Sequence, residues 1–174
     1  MGRLRMELHA NSLAEKMSRL GDGTFIPLHA PARVSSTLVR DELMKEESVQ
    51  DAVKLMNRID VALVGIGYPN EHSAIKATGY YKENEIESLV SRKAAGELCM
   101  QFYDIEGHTG SYASDNAVIG MDIHRLCKVP CSVGIAGGKE KLSAIQGAIN
   151  GKYINVLITD TECARALLSD EEEE

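Results

Sequence analysis

The residues with the clearest capacity for chemistry follow an apolar run towards the end of the chain. Residues 133–136 lead into Gly137 and Gly138, and Lys139 and Lys141 come next. Glycines let a backbone approach an anion closely, and the first turn of a following helix offers unpaired N–H groups. The segment therefore predicts a contact with a phosphate or a carboxylate. A tight strand-to-helix turn with solvated lysines is the alternative.

The known nucleotide-binding motifs do not fit this turn. Gly134 and Gly138 enclose three residues, whereas the P-loop motif needs four, and Lys139 is followed by Glu140 instead of Ser or Thr. A third glycine at the spacing of a dinucleotide fingerprint is also missing. An anion contact and a plain turn therefore both stay open here, and neither involves a known nucleotide motif.

Two other places combine glycine or a carboxylate with the end of an apolar run. Gly65 and Gly67 follow the run 61–64, and the polar residues 70–76 after them could close over a ligand or form an exposed connector. Glu97 precedes another apolar run. A carboxylate at a strand edge can accept hydrogen bonds from sugar hydroxyls, although a glutamate on the surface is the commoner case.

Two serines and two arginines follow the apolar run at 24–28. Ser35 or Ser36 most simply caps a helix, because a hydroxyl oxygen can accept from the free N–H groups of the first turn. An anion contact by Arg33 or Arg40 is the alternative.

The histidines and cysteines do not form a pattern that is typical of a catalytic or metal site. The sequence holds no His-Glu-x-x-His, Gly-x-Ser-x-Gly or Cys-x-x-Cys segment. Cys127 and Cys131 are close in sequence, but no histidine at ligand spacing completes a zinc site with them. We therefore expect no metal, no cofactor and no catalytic residue. The scattered residues are His9, His29, His72, His108, His124, Cys99 and Cys163.

The elements that must position these residues alternate between strand and helix. Continuously apolar strands between amphipathic helices are typical of a parallel sheet covered on both faces, so the pattern predicts one α/β unit. Residues 159–162 read as a capping box that opens the last helix. The predicted strands cover 24–28, 61–64, 98–103, 131–136 and 154–158, and the predicted helices cover 11–20, 36–44, 48–57, 83–93, 141–149 and 162–168.

The composition is that of a globular protein and not of a nucleic-acid binder. The chain has 174 residues, 44% of them hydrophobic and 26% charged, with a formal net charge of −7. Five carboxylates at 170–174 account for most of this charge, and such a run repels itself and stays solvated. An acidic chain lacks the basic surface that binds nucleic acid, so we expect no direct contact with DNA.

The termini and the cysteines favour a protein of the cytoplasm. The first residues carry no apolar core of a signal peptide, and no apolar run is long enough to span a bilayer. Cys99 and Cys163 lie in apolar patterns, which predicts buried, reduced thiols. We therefore expect a cytoplasmic protein without membrane contact.

Several short segments stand in an order that is more specific than any one of them. They are Val-Ala-Leu-Val-Gly-Ile-Gly at 61–67, Ala-Gly-Glu at 95–97 leading into Phe-Tyr-Asp-Ile-Glu-Gly at 102–107, Val-Ile-Gly-Met at 118–121, Val-Gly-Ile-Ala-Gly-Gly at 133–138 with Lys141, Ala-Ile-Gln-Gly-Ala-Ile at 144–149, and Asn-Val-Leu-Ile-Thr-Asp at 155–160 with Ala-Arg-Ala-Leu-Leu at 164–168. This ordered set resembles the effector-binding domain of the SorC/DeoR family of bacterial sugar-responsive transcription regulators, and the resemblance runs from about residue 11 to residue 168.

The resemblance implies a Rossmann-like, mostly parallel sheet with helices on both faces, similar to sugar-phosphate isomerases, glucosamine-phosphate deaminases and CoA transferases. It also implies binding of a phosphorylated sugar that alters operator binding and oligomerisation. The implied ligand contacts are Glu97 and Lys141, with Gly137 and Gly138 beside the sugar, Ser73 and Lys76 in the loop after residues 65–67, and His9 just before the first helix.

Members of that family begin with a helix-turn-helix and further strand–helix units, including a phosphate loop rich in glycine and threonine, that have no counterpart in this sequence. The resemblance therefore implies that residues 1–168 form a sugar-binding domain that is incomplete at its N-terminus, followed by an acidic tail over 169–174. It implies contact with DNA only through the missing helix-turn-helix, and assembly as a homo-oligomer.

Three functions remain open at this point. The resemblance favours a sensor module of a transcription regulator, which needs polar sugar contacts and no catalytic base. A sugar-phosphate isomerase or deaminase on the same fold would need a carboxylate base, for which Asp104 or Glu97 could serve. A remnant or assembly module without a ligand of its own is the third.

Overall fold

Helices and strands alternate along the described part of this computed structural model, which comprises residues 9–70, 79–115 and 117–169. This alternation confirms the predicted α/β class. The helices are α1 (Ala10–Leu20), α2 (Thr37–Leu43), α3 (Glu47–Met56), α4 (Glu83–Ser91), α5 (Ile123–Leu126), α6 (Leu142–Asn150) and α7 (Thr161–Ser169), with 3₁₀ turns over Gly110–Asp115 and Lys139–Lys141. The strands are β1 (Val61–Gly65), β2 (Gly96–Leu98), β3 (Gln101–Tyr103), β4 (Cys131–Ile135) and β5 (Val156–Ile158).

Three strands form a parallel sheet in the order β1-β4-β5. Val61 of β1 aligns with Cys131 of β4, and Val133 of β4 aligns with Val156 of β5. The carboxyl ends of the three strands therefore meet at one edge, where ligands bind in open α/β sheets. The three strands predicted from continuous apolar runs are confirmed, with boundaries that differ by one or two residues.

One face of the sheet packs on α6 and closes the main core. Ala62 of β1 belongs to the same buried cluster as Ala144, Ile145 and Ala148 of α6. Small side chains on both sides let the helix lie close to the sheet. Gly147 brings α6 equally close to the chain after β3, because a Cβ at this position would lie 2.5 Å from the Asp104 carbonyl oxygen.

The opposite face of the sheet keeps large apolar side chains in solvent. Val61, Leu63, Ile135 and Ile158 are between 44% and 55% exposed. Helix α1 also packs loosely, since none of its residues is buried and Leu20 is 90% exposed. The amphipathic spacing of α1 predicted the helix correctly, but its apolar side is largely exposed.

Residues 96–103 form two strands where the sequence predicted one. β2 and β3 pair antiparallel, and Cys99 and Met100 make the two-residue turn between them with φ of +52° and +60°. Two-residue hairpin turns with positive φ at both positions usually carry Asn or Gly, so the apolar sequence gives no sign of a turn here. The prediction of a single strand over 98–103 is therefore wrong.

Two smaller predictions are also wrong. Residues 24–28 are irregular instead of a strand; Pro27, which lacks an N–H, lies within them. The cap of α7 is Asp160 and not Thr159, because the Asp160 Oδ1 accepts from the Cys163 N–H at 2.9 Å. With Cys163 three residues after the cap, no Glu side chain can complete the predicted capping box.

Candidate functional site

The edge where the parallel strands end is joined to the hairpin by a backbone bridge. Gly67, just beyond β1, donates to the Glu97 carbonyl at 3.0 Å, and the Glu97 N–H donates to the Gly67 carbonyl at 2.9 Å. This antiparallel bridge fixes β2 against the end of β1. It places the Glu97 side chain at the sheet edge where the sequence predicted ligand contacts.

The Glu97 carboxylate is buried with one oxygen unsatisfied. Its Oε2 has no hydrogen-bond partner in the described part of the chain, although the residue as a whole keeps some exposure. Burial raises the pKa of Glu97 to about 7, and a hydrogen bond from the Met100 backbone and the charge of Lys141 oppose that rise. A buried acceptor without a donor is costly, so this oxygen is ready to accept a ligand hydroxyl.

Lys141 brings a positive charge to the same edge. It ends the 3₁₀ turn after β4, and its Nζ donates to the Ile66 carbonyl at 2.9 Å. Since Gly67 follows Ile66 and is bridged to Glu97, the ammonium and the Glu97 residue both lie at the end of β1. An ammonium has three donors, and this bond uses one of them.

The turn of Gly137 and Gly138 does present an N–H group to an anion, but the anion belongs to the chain itself. The Gly138 N–H donates to the Asp160 Oδ2 at 2.7 Å. This bond and the bond from Cys163 hold the pKa of Asp160 below its usual value; the Cys163 bond is the larger cause. Gly138 adopts φ of +99°, a conformation that favours glycine. Lys139 lies next to the turn, and its Nζ is 3.7 Å from the Glu162 Oε2.

Thr159 adds a second unsatisfied polar atom at this sheet edge. Its Oγ1 is buried without a hydrogen-bond partner among residues 9–70, 79–115 and 117–169. Thr159 follows β5 directly and precedes Asp160. The sequence predicted a helix cap here, and Thr159 and Asp160 also stand at the end of an apolar strand, which is where ligands bind in open parallel sheets.

His9 lies in a separate cleft beside the hairpin turn. The cleft has a volume of about 370 Å³ and is lined by Asn11, Tyr80, Cys99 and Met100 together with His9. Burial, followed by the charge of Glu97, raises the pKa of Cys99 to about 12. Cys99 follows Glu97 by two residues in the hairpin that is bridged to Gly67, so the cleft adjoins the sheet edge. The raised pKa keeps the Cys99 thiol protonated.

Two of the predicted ligand residues, Ser73 and Lys76, lie outside the described residues. The structure thus places Glu97, Lys141, Gly137 and Gly138 at the end of the parallel sheet, and His9 in the adjoining cleft. The sheet edge is the candidate site.

Arg33 and Arg40, the two candidates for an anion contact, have structural contacts. Arg33 donates to the Tyr80 carbonyl at 2.7 Å and to the Glu85 carboxylate at 2.8 Å, and its guanidinium lies 4.1 Å from the centre of the Tyr81 ring. Arg40 pairs with its neighbour Asp41. Ser36 caps α2, as predicted, by accepting from the Val39 N–H.

A small group of acidic residues and a histidine lies in the turn after β3. Within the described ranges, Asp104, Glu106 and His108 form the group whose side chains approach closely enough to share a metal ion. Asp104 instead accepts from the His108 backbone N–H at 2.7 Å and so closes the turn. Asp104, which the enzyme hypothesis offered as a base, thus has a structural contact.

None of the helices in the described ranges is both long and apolar enough to cross a membrane.

Comparison with known proteins adds a family to this geometry. Residues 1–169 match a family model described as "Putative sugar-binding domain". The chain is 32% identical over 167 residues to the sorbitol operon regulator of Klebsiella pneumoniae, covering 96% of this chain and 53% of that protein. It is 32% identical over 146 residues to the deoxyribonucleoside regulator of Bacillus subtilis, covering 84% and 46%. The chain spans about half the length of these curated relatives.

Solved structures show the same fold. The full-length sorbitol operon regulator SorC from Klebsiella pneumoniae superposes with a TM-score of 0.88 at 31% identity, over 96% of this chain and 54% of that one. A sor operon regulator from Shigella flexneri superposes with a TM-score of 0.87 at 32% identity, over 96% of this chain and 65% of that one.

Proposed function

We propose, from the premise that this chain belongs to the sugar-binding domain family matched by residues 1–169, that it is the effector-binding part of a transcription regulator. Its effector is a phosphorylated sugar. Relatives named as regulators of a sorbitol operon and of deoxyribonucleosides support a sugar or a sugar derivative as the ligand class. The family resemblance supports the phosphate.

The unsatisfied Oε2 of Glu97 is the observation that carries this proposal. A sugar hydroxyl can donate to this oxygen, and the nearby Lys141 ammonium can donate to a hydroxyl or phosphate oxygen. A carboxylate and an ammonium at one strand end can hold a polyol by hydrogen bonds without catalysing a reaction on it. We place the sugar hydroxyls at Glu97 and the phosphate on the side of Lys141.

The remaining predicted contacts fit around this pair. Gly137 and Gly138 lie beside the sugar, and Asp160 already takes the Gly138 N–H, so the phosphate contacts Lys141 and not the glycine backbone. His9 contacts the part of the ligand that reaches the adjoining cleft. Ser73 and Lys76 are further proposed contacts of the ligand.

The wider role follows from the relatives, of which this chain spans about half the length. DNA is bound by a helix-turn-helix segment outside this sequence, and the domain of residues 1–168 passes the ligand signal to it within a homo-oligomer. The protein acts in the cytoplasm, where phosphorylated sugars are found.

Thermal shift and calorimetric titration with a phosphorylated hexitol and a phosphorylated deoxyribose test the proposal, with the unphosphorylated compounds beside them. We expect Glu97→Gln and Lys141→Met each to weaken binding roughly tenfold or more, which corresponds to about 1.4 kcal/mol. Lys139→Met is the matched control, because Lys139 lies two residues away and faces Glu162. The proposal fails if no phosphorylated sugar raises the melting temperature, or if Lys139→Met weakens binding as much as Lys141→Met.

One observation favours a second function, a sugar-phosphate isomerase or deaminase. The pKa of Glu97 near 7 would suit a general base. This alternative predicts slow conversion of the bound sugar phosphate, measured by NMR, that disappears in Glu97→Gln. We favour the sensor because the relatives are named as regulators.

A further inference from the structure

A second cleft lies along helix α4 and is here called the arginine cleft. Its volume is about 210 Å³, and its buried lining residues are Tyr81 and Leu89. Its polar lining residues are Arg33, Asn84, Glu85, Ser88 and Arg92. The described residues of the candidate site and of the cleft beside His9 are different ones. The arginine cleft is therefore a separate cavity with its own set of polar groups.

Tyrosine rings hold both guanidinium groups of this cleft in place. The Arg33 guanidinium lies 4.1 Å from the centre of the Tyr81 ring. The Arg92 guanidinium lies 5.5 Å from the centre of the Tyr112 ring and donates to the Ser111 carbonyl at 2.8 Å. Both rings are buried. A guanidinium that is already held in this way loses little freedom when it binds a ligand.

Arg33 has one donor that lacks an acceptor. Its Nη1 and Nη2 donate to the Tyr80 carbonyl and the Glu85 carboxylate. Its Nε is buried and has no hydrogen-bond partner among the residues that the structure describes. A buried donor without an acceptor is costly. The side chain as a whole is 18% exposed, so an acceptor on a ligand can reach this guanidinium.

The charges that line the arginine cleft favour an anion. Two guanidinium groups and one carboxylate leave an excess of one positive charge, in a chain whose formal net charge is −7. Both oxygens of Glu85 already accept hydrogen bonds, because Oε1 accepts from Arg33 and Oε2 accepts from the Lys82 backbone N–H at 2.8 Å. The Asn84 amide and the Ser88 hydroxyl add two neutral groups that can donate.

We propose that the arginine cleft binds a phosphate group, as the free ion or as part of a small phosphate ester. The phosphate oxygens accept from the guanidinium groups of Arg33 and Arg92. The Asn84 amide and the Ser88 hydroxyl donate to the oxygens on the side of α4. Donors from four side chains suit a tetrahedral phosphate better than a planar carboxylate. This site is independent of the sugar contact proposed at Glu97.

Calorimetric titration of the full chain with inorganic phosphate, at an ionic strength held constant with chloride, tests this site. Asn84→Asp puts a negative charge into the cleft. Asn84 is exposed in the first turn of α4, where negative charge favours a helix, so this variant should fold. We expect Asn84→Asp to weaken phosphate binding roughly tenfold or more, because like charges repel at close range. Gln50→Glu is the matched control, since it makes the same change of an amide to a carboxylate at an exposed position of α3.

Lys141→Met separates the arginine cleft from the candidate site, where Lys141 is the proposed phosphate contact. Phosphate binding that survives in Lys141→Met and weakens in Asn84→Asp supports the arginine cleft, whether or not a sugar binds at Glu97. The proposal is overturned if inorganic phosphate does not bind, if Lys141→Met abolishes binding while Asn84→Asp keeps it, or if Gln50→Glu weakens it as much as Asn84→Asp.

Glycerol 3-phosphate, titrated in parallel, distinguishes the two sources of the phosphate group. Tighter binding of the ester than of inorganic phosphate, lost in Asn84→Asp, supports a small phosphate ester as the ligand. Equal affinities support the free ion.

Discussion

Replacing Glu97 by glutamine should change how the stability of the protein depends on pH. Folding raises the pKa of this carboxyl from its ordinary 4.5 to about 7, mainly because the group is buried. The folded protein therefore favours the protonated form. The contribution of Glu97 to the free energy of unfolding is fully present below the unfolded pKa of 4.5. It is lost as the pH rises through the folded pKa of about 7.

The size of the effect follows from the distance between the two pKa values. At 1.36 kcal/mol for each pKa unit, ionising the buried Glu97 costs about 3 kcal/mol above pH 7. Glutamine is neutral throughout and keeps an oxygen that can accept from the Met100 N–H. We therefore expect the free energy of unfolding of Glu97→Gln, relative to that of the wild type, to rise by up to about 3 kcal/mol between about pH 4.5 and about pH 8.

Urea unfolding at a series of pH values measures this difference. The cost of burying the amide is independent of pH and shifts the whole curve of unfolding free energy against pH. The test is therefore how the difference in unfolding free energy between the variant and the wild type changes with pH. All groups other than residue 97 are the same in the two proteins, so their contributions cancel in the comparison. Glu87→Gln, an exposed change on α4, should run parallel to the wild type. Parallel curves for Glu97→Gln and the wild type would refute the argument that Glu97 is buried and weakly paired.

Other parts of the fold give three further predictions. Asp160→Ala should lower the melting temperature, because the N–H groups of Gly138 and Cys163 lose their acceptor, whereas Asp160→Asn should lower it less; equal losses would contradict the geometry. Arg33→Lys should cost about 1–3 kcal/mol in chemical denaturation, since a lysine cannot keep the two hydrogen bonds and the ring contact of Arg33. Gly147→Ala should destabilise by about 1–3 kcal/mol, because the new methyl group would meet the carbonyl after β3; an unchanged unfolding midpoint would show that α6 lies further away.

The sequence predicted best where one local signal decided the structure. β1 is an apolar run and β4 a largely apolar one, each leads into glycine, and α6 has a clear helical period, so the predicted types and places of these elements are correct. The hairpin of residues 96–103 was missed because its turn, Cys99 and Met100, has neither Asn nor Gly. Only the pairing of β2 with β3 reveals the turn.

The site was less predictable than the fold, because its decisive contacts join distant residues. Glu97 resembled a surface glutamate until the bridge to Gly67 showed how it is buried. The turn at Gly138 reads as an anion site from its sequence, and Asp160, which satisfies it, comes 22 residues later. The assignment of Glu97 and Lys141 to one site came from the family resemblance. The charge of Lys141, which lowers the pKa of Glu97, is consistent with their lying close together.

The close contact of Gly67 with Glu97 has a consequence for how such domains can vary. A Cβ at position 67 would lie 2.6 Å from the Glu97 Oε1, which is the far end of a flexible side chain. It would also lie 2.9 Å from the Glu97 Cγ, so a methyl group there would push the Glu97 side chain aside. A substitution at position 67 is therefore expected to move the proposed ligand contact without any change at residue 97.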